Sequence, residues 1–165
     1  MIRAIFATDV YGGMGYHGKL PWGNIPEDME HFKNTTMNNV VVMGRKTYET
    51  LPNSVKPFPG RINAVVSSTN IRSPKTFIHN IKSNDILTGI LKLQEQWPNK
   101  DVFIIGGPTL LMATIPLIEH VHLTSLQGSY SYDAWLDKRK FFEHFRFRSA
   151  TPLINNCIFE EYTKK

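Results

Sequence analysis

Cysteine is almost missing from this sequence: one residue, Cys157, stands among 165. A single thiol excludes an internal disulfide framework and suits a reducing cytoplasm, where we expect the protein to work. In the last strand-like segment Cys157 reads as a small apolar side chain, not a nucleophile. Long apolar runs are missing too. None approaches the ~20 residues that span a bilayer, and Met1-Ile2-Arg3 leads into a strand-like segment rather than a signal peptide, so no membrane partner is expected. No repeat, low-complexity tract or linker interrupts the chain, so the reading is one domain over residues 1–165; a monomer is expected. Acids are in the minority, 14 Asp and Glu against 19 Lys and Arg, for a net charge of +5 and a pI near 9.4. That excess raises nucleic acid as a partner, but its distribution argues against one. The basic residues are scattered, and the densest cluster, Lys138-Arg139-Lys140, sits beside Asp137 and Glu143 without the aromatic stripe of single-strand binders. Small polyanions carrying phosphates and carboxylates fit this charge better.

What is present is an alternation of elements. "IRAIFA" reads as a buried strand, "PEDMEHFKNT" as an amphipathic helix, "NVVVM" as a strand and "RKTYETL" as a short helix. "INAVVS" and "FIH" follow as strands, "DILTGILKLQEQW" as a helix, "VFII" as a strand and "PTLLMATI" as a helix. Short β-branched runs alternating with helical periods indicate an α/β fold in three layers, a mostly parallel sheet with helices on both faces. From "HVHLTSL" onward the helices stop. "EHFRFRSA" and "NCIFEEYT", joined by the loop "TPLINN", alternate as an antiparallel pair closing the C-terminal edge.

Gly13, Gly15 and Gly18 show the spacing G-x-G-x-x-G directly after an apolar run. In a dinucleotide fingerprint such glycines open a helix, with an acid roughly 20 residues on. Here Pro21, Gly23 and Pro26 occupy the place of the helix, and Lys33 to Met37 carry no acid, so that reading fails on context. Two other junctions suit an anion better. After Met43, Gly44 turns the chain into a helix headed by Arg45, Lys46 and Thr47; after Ile105, Gly106 and Gly107 turn it into one headed by Pro108. Each is an ordinary tight turn when taken alone. Together they place free amides at the carboxyl edge of a parallel sheet, where a pyrophosphate could be embraced between them.

The helix starting at Pro26 carries Glu27 and Asp28 in its first turn, which the helix dipole alone would explain. Ile25, Met29, Phe32 and Thr36, however, form one stripe at helical spacing, and Asp28 lies at its edge while Glu27 and Glu30 point away. A carboxylate bordering apolar side chains needs a partner or a task, because unpaired burial of charge is costly.

"LPWGNIPEDMEHFK", "VVMGRKTYETL", "PFPGRINAVVSS", "VFIIGGPTLL" and "HLTSL" resemble, in order and spacing, the successive motifs of the dihydrofolate reductase family, from Ile2 to about Tyr162. The resemblance implies an eight-stranded dihydrofolate reductase-like fold, with an adenosine-binding subdomain about 39–98 and the remainder a loop subdomain. It implies an oxidoreductase that uses NADPH to reduce 7,8-dihydrofolate to tetrahydrofolate, for one-carbon metabolism and thymidylate synthesis, and that takes antifolates as ligands. Asp28 resembles the pterin-binding acid, supported by the Thr124 hydroxyl, with Trp22 ordering water beside it and Leu20 near the chemistry. Ile5, Leu20, Met29, Phe32, Leu51 and Phe58 would wall the pterin and benzoyl rings, and Arg61 would fork onto the glutamate tail. Around the cofactor, Arg45, Ser67 and Ser68 resemble the group at the 2′-phosphate. Gly44, Lys46, Thr47, Gly107, Pro108 and Thr109 would hold the pyrophosphate, with a cis peptide at Gly106-Gly107. Ala7, Met14 and Gly15 would approach the nicotinamide. The glycines from Gly12 to Gly18 then become a lid, held by Asp133 from a neighbouring loop.

Three positions depart from the family pattern. Leu111 stands near the nicotinamide where an aromatic is common, Thr109 replaces a base, and His122 replaces an aromatic and reads as a satisfied core histidine. His120-x-His122 has the spacing of a strand-face metal pair, but lacks a third ligand nearby, so no metal is expected. A pyrimidine reductase of flavin biosynthesis would share the fold without needing "PWGNIPED" or Arg61. An inactive nucleotide-binding module would need neither the acid nor the tryptophan.

Overall fold

The computed structural model describes residues 1–154 and 156–165. In chain order the elements are β1 (Ile2–Thr8), β2 (Gly13–Gly15), α1 (Pro26–Thr36), β3 (Val40–Gly44), α2 (Arg45–Thr50), β4 (Ile62–Ser67) and β5 (Ile78–Lys82). There follow α3 (Ile86–Gln96), β6 (Val102–Gly106), α4 (Pro108–Thr114), β7 (His120–Leu126), β8 (Ala134–Trp135), α5 (Lys138–Phe142), β9 (Phe145–Ile154) and β10 (Cys157–Lys164). Eight strands form one sheet in the order β5-β4-β3-β6-β1-β7-β10-β9, and β2 pairs with β8 in a small second sheet. Neighbours from β5 to β7 run parallel, and β10 runs against both β7 and β9.

Strand alternation divides the core between the two faces of the sheet. Ala4, Phe6, Val40 and Val42 join the larger core, which includes Ile90 and Leu93 of α3, Leu110 and Leu111 of α4, and Phe141 of α5. Ile5, Val41, Met43, Val65 and Phe103 face the other way and pack with Phe32 of α1, Leu51 and Phe58. Val40 to Met43 are wholly buried. Each such side chain stabilises the fold by about 1.5–3 kcal/mol relative to exposure, so a continuous apolar run marks a central strand.

Three expectations need correction at the C-terminal end. The helices do not stop after β7: Asp137 caps α5 by accepting a hydrogen bond from Lys140 N at 3.1 Å, and Phe141 buries its ring beneath the turn. β9 begins at Phe145, two residues later than read, and continues through Thr151–Ile154, which were expected as loop. Asn155, in the same expected loop, lies outside the described residues. Strand β5 likewise starts at Ile78 and leaves Phe77 outside it.

Candidate active site

The carboxyl ends of β1, β3, β6 and β7 open on one edge of the sheet, and α1 crosses beside them. Thr124 lies opposite Ala7 in the β1–β7 register. Its Oγ1 donates a 2.6 Å hydrogen bond to Asp28 Oδ1. Burial raises the Asp28 pKa from its ordinary value, and the Thr124 hydrogen bond partly opposes that rise. The odd carboxylate of α1 therefore has one hydrogen-bond partner among the described residues and remains half-buried. Ile5, Phe32, Leu51 and Phe58 gather in one apolar wall, with the Phe32 and Phe58 rings 5.4 Å apart. Leu20 and Met29 expose large apolar surface. Trp22 meets Tyr130 edge-on at 6.0 Å, and its indole Nε1 is buried without a partner among the described residues. Arg61 lies 5.0 Å over the Phe58 ring, donates from Nε to Pro59 O at 2.9 Å and from one Nη to Thr36 Oγ1 at 3.2 Å.

The glycine junctions meet because β3 and β6 are neighbours, with a register shift that sets Met43 opposite Gly106. A Cβ on Gly44 would lie 3.8 Å from Gly106 O, and one on Gly107 would lie 3.7 Å from Thr47 Oγ1. Gly106, at φ +122°, joins Gly107 through a cis peptide, as the family resemblance implied. Among the described residues, neither α2 nor α4 has a side-chain cap at its N-terminus. Their first-turn amides thus face a bare backbone cradle that side chains would fill, a fit for a pyrophosphate. Arg45 is the first residue of α2, held to Glu49 Oε1 at 2.6 Å and Thr69 Oγ1 at 2.7 Å.

The segment from Gly12 to Gly18 is no helix N-terminus. β2 pairs with β8, Asp133 N donates to Gly15 O at 2.9 Å, and Asp133 Oδ2 accepts from His17 N at 3.0 Å. At its base the buried Asp9 carboxylate accepts from Tyr11 N, Gly13 N and Tyr130 N at 2.8–3.1 Å. Met14 then reaches across, its methyl 3.6 Å from where a Cβ of Gly106 would stand.

The family model described as dihydrofolate reductase matches residues 1–157. The chain belongs to the dihydrofolate reductase family. It is 32% identical over 155 residues to dihydrofolate reductase type 9 of Escherichia coli, covering 93% of this chain and 85% of that protein. A bifunctional dihydrofolate reductase-thymidylate synthase of Glycine max is 31% identical over 98% of this chain, which spans only 32% of that protein. Among solved structures, dihydrofolate reductase from Enterococcus faecalis complexed with NADP(H) and RAB-propyl superposes with a TM-score of 0.80, covering 100% of this chain and 96% of that one at 23% identity. The fold is that of dihydrofolate reductase, and the family's activity is the NADPH-dependent reduction of dihydrofolate.

Two residues expected to touch the cofactor are buried. Leu111 is wholly buried in the larger core, because the apolar stripe of α4 faces the sheet. Ser67 is buried at the end of β4, and its Oγ accepts from Thr69 N at 3.2 Å, so it shapes the turn while Ser68 stays exposed. His122 is half-buried, and its imidazole is pushed down to about 4 by burial and then by His120 and Arg3, which keeps it neutral. Burial pushes the Cys157 thiol up to about 11, in keeping with an inert apolar role. Thr36 is buried as its place on the α1 stripe implied, whereas Asp9 and Thr69 were not anticipated. Only Asp9 carried a signal, an acid directly after a buried strand and before paired glycines, the setting of a side-chain-stabilised turn.

Proposed function

We infer that this edge of the sheet binds 7,8-dihydrofolate with its pterin on Asp28 and reduces it to tetrahydrofolate, feeding one-carbon metabolism and thymidylate synthesis. The observation that carries the residue assignment is the Asp28–Thr124 pair. It is a half-buried carboxylate that keeps acceptor capacity for the 2-amino group and N3 of a pterin. NADPH, when bound, supplies the hydride that enters C6. A carboxylate holding the 2-amino group and N3 cannot also reach N5. Asp28 therefore orients the ring and stabilises its N5-protonated form, while water admitted near Leu20 and Trp22 carries the proton to N5. The partnerless Trp22 Nε1 supports a water-holding role. Ile5, Leu20, Met29, Phe32, Leu51 and Phe58 flank the rings. Arg61 keeps Nη2 and a second Nη1 hydrogen for the glutamate carboxylate, and antifolates share the ring site.

For the cofactor, Arg45 and Ser68, with Thr69 behind them, would grip the 2′-phosphate. Gly44, Lys46, Thr47, Gly107, Pro108 and Thr109 would hold the pyrophosphate, and Ala7, Met14, Gly15 and Gly106 would border the nicotinamide. Residues 39–98 then serve as the adenosine-binding part. The reading is of a cytoplasmic monomer with no nucleic-acid or membrane partner; no helix among the described residues is long and apolar enough to cross a membrane. Mixing the protein with NADPH and dihydrofolate tests it. The near-ultraviolet absorbance of NADPH should fall only when both are present, with tetrahydrofolate formed in equal amount; a rate no higher than the protein-free blank would contradict the assignment.

A further inference from the structure

On β7, the face that carries Thr124 continues away from the pterin site as His122 and then His120. Strand β10 runs alongside and sets Glu161 opposite His122. Glu161 Oε1 stands 3.5 Å from His120 Nε2 and 3.5 Å from His122 Nδ1. The three side chains offer ligand atoms that all lie within 4.8 Å of one another. The antiparallel register thus supplies the third group that His120-x-His122 lacks in local sequence. A tetrahedral ion with bonds of about 2.0–2.1 Å holds its donors about 3.3 Å apart, close to both approaches of Glu161. As hydrogen bonds the same distances are long, and His120 Nε2 is buried with no hydrogen-bond partner among the described residues.

We propose that His120, His122 and Glu161 form a binding site for a late first-row divalent transition ion such as zinc, with a fourth position left to water. Two imidazoles and one carboxylate select this class over magnesium and calcium, which take oxygen ligands. The half-exposed Glu161 provides the entry side. The ion ties β7 to β10 beneath the Asp28–Thr124 pair and touches none of the groups assigned to the pterin.

Arg3 opposes loading. Its Nη1 lies 3.3 Å from His122 Nε2, and a guanidinium can only donate, which favours the tautomer with the proton on Nδ1. The same side chain has a second partner, because its Nε lies 3.2 Å from Asp101 Oδ2. Turning onto Asp101 lets Nε2 take the proton and frees Nδ1 for the ion. Arg3 is thus a brake on affinity, and Arg3→Met should tighten binding.

Cobalt titration of chelator-treated protein, followed by visible ligand-field absorption, tests the site. The expected result is saturation at one equivalent, bleaching by one equivalent of zinc, and a melting temperature that rises with zinc but not with magnesium. His120→Asn and Glu161→Gln should each weaken binding by roughly ten-fold or more, with an unchanged melting temperature in chelator showing that the fold is kept. Absence of a saturable band in the unaltered protein at millimolar cobalt would overturn the proposal. So would binding undiminished in His120→Asn, or unchanged in Arg3→Met.

Discussion

Asp28 is held where a carboxylate is least at ease. Burial raises its pKa more than the Thr124 hydrogen bond lowers it, so the folded state binds its proton more readily than the unfolded chain does. Stability then falls as pH rises through the window between the ordinary carboxylate value and the raised one, and the ionised form is the destabilising one at neutral pH. Asp28→Asn keeps an acceptor for the Thr124 hydroxyl and removes the charge. It should melt a few degrees higher at neutral pH, each kcal/mol being worth roughly 2–4 °C at this length, and the gain should vanish as pH falls below the ordinary carboxylate range. Calorimetry at two pH values checks this; a lower neutral-pH melting temperature would mean the charge is stabilised by the fold. Arg61 raises a different question, because it also braces Thr36 and covers Phe58. Arg61→Leu should weaken folates bearing a glutamate by about 1.5–3 kcal/mol, a charged hydrogen bond's worth, and leave a small antifolate without the carboxylate unaffected. Parallel losses for both ligands would make Arg61 purely structural.

Among the elements, the segment from Gly12 to Gly18, proposed here as a lid, carries the sharpest steric demand. Gly12 adopts φ +89°, and a Cβ there would overlap the Leu136 carbonyl oxygen, whereas a Cβ on Gly15 would meet Ala134 at an ordinary 3.4 Å. Gly12→Ala should cost about 1–3 kcal/mol at this turn, loosen the β2–β8 pairing and slow turnover about ten-fold. Gly15→Ala should keep the β2–β8 pairing near the parent's. Steady-state rates with amide exchange at Leu136, whose N–H donates to Gly12 O, read both effects; equal rates in the two variants would deny the lid its role. That these glycines form a loop was legible, because two prolines and a glycine follow where a helix would run. Their partner β8 was not, since two residues are too few to alternate. Helix α5 was hidden for a related reason: its five residues directly precede "EHFRFRSA", where Phe145 and Phe147 alternate as in a strand. Thr151–Ile154 looked like loop because of Pro152, but β9 is the sheet's edge, where a missing amide donor costs little.

At the scale of the molecule, the sheet order brings distant residues together. β1 lies between β6 and β7, so Ile5, Thr124 and α1 share one end, while adjacency of β3 and β6 joins the two glycine junctions. The chemistry of these groups was readable from residue types and motif order; which way each side chain points was not. Leu111 and Ser67 are buried because helix phase and strand alternation, not motif position, set their direction. Glu161 reaches His120 and His122 only through antiparallel register. In the proposed reaction one carboxylate, Asp28, orients the pterin and stabilises its protonated form without delivering the proton itself. Single-turnover hydride transfer in Asp28→Asn, followed across pH with NADPH affinity measured alongside, tests it most directly. A fall by orders of magnitude at neutral pH, partial recovery in acid where solvent protonates the substrate, and near-normal NADPH binding are expected; a parent-like single-turnover rate at neutral pH would remove Asp28 from this role.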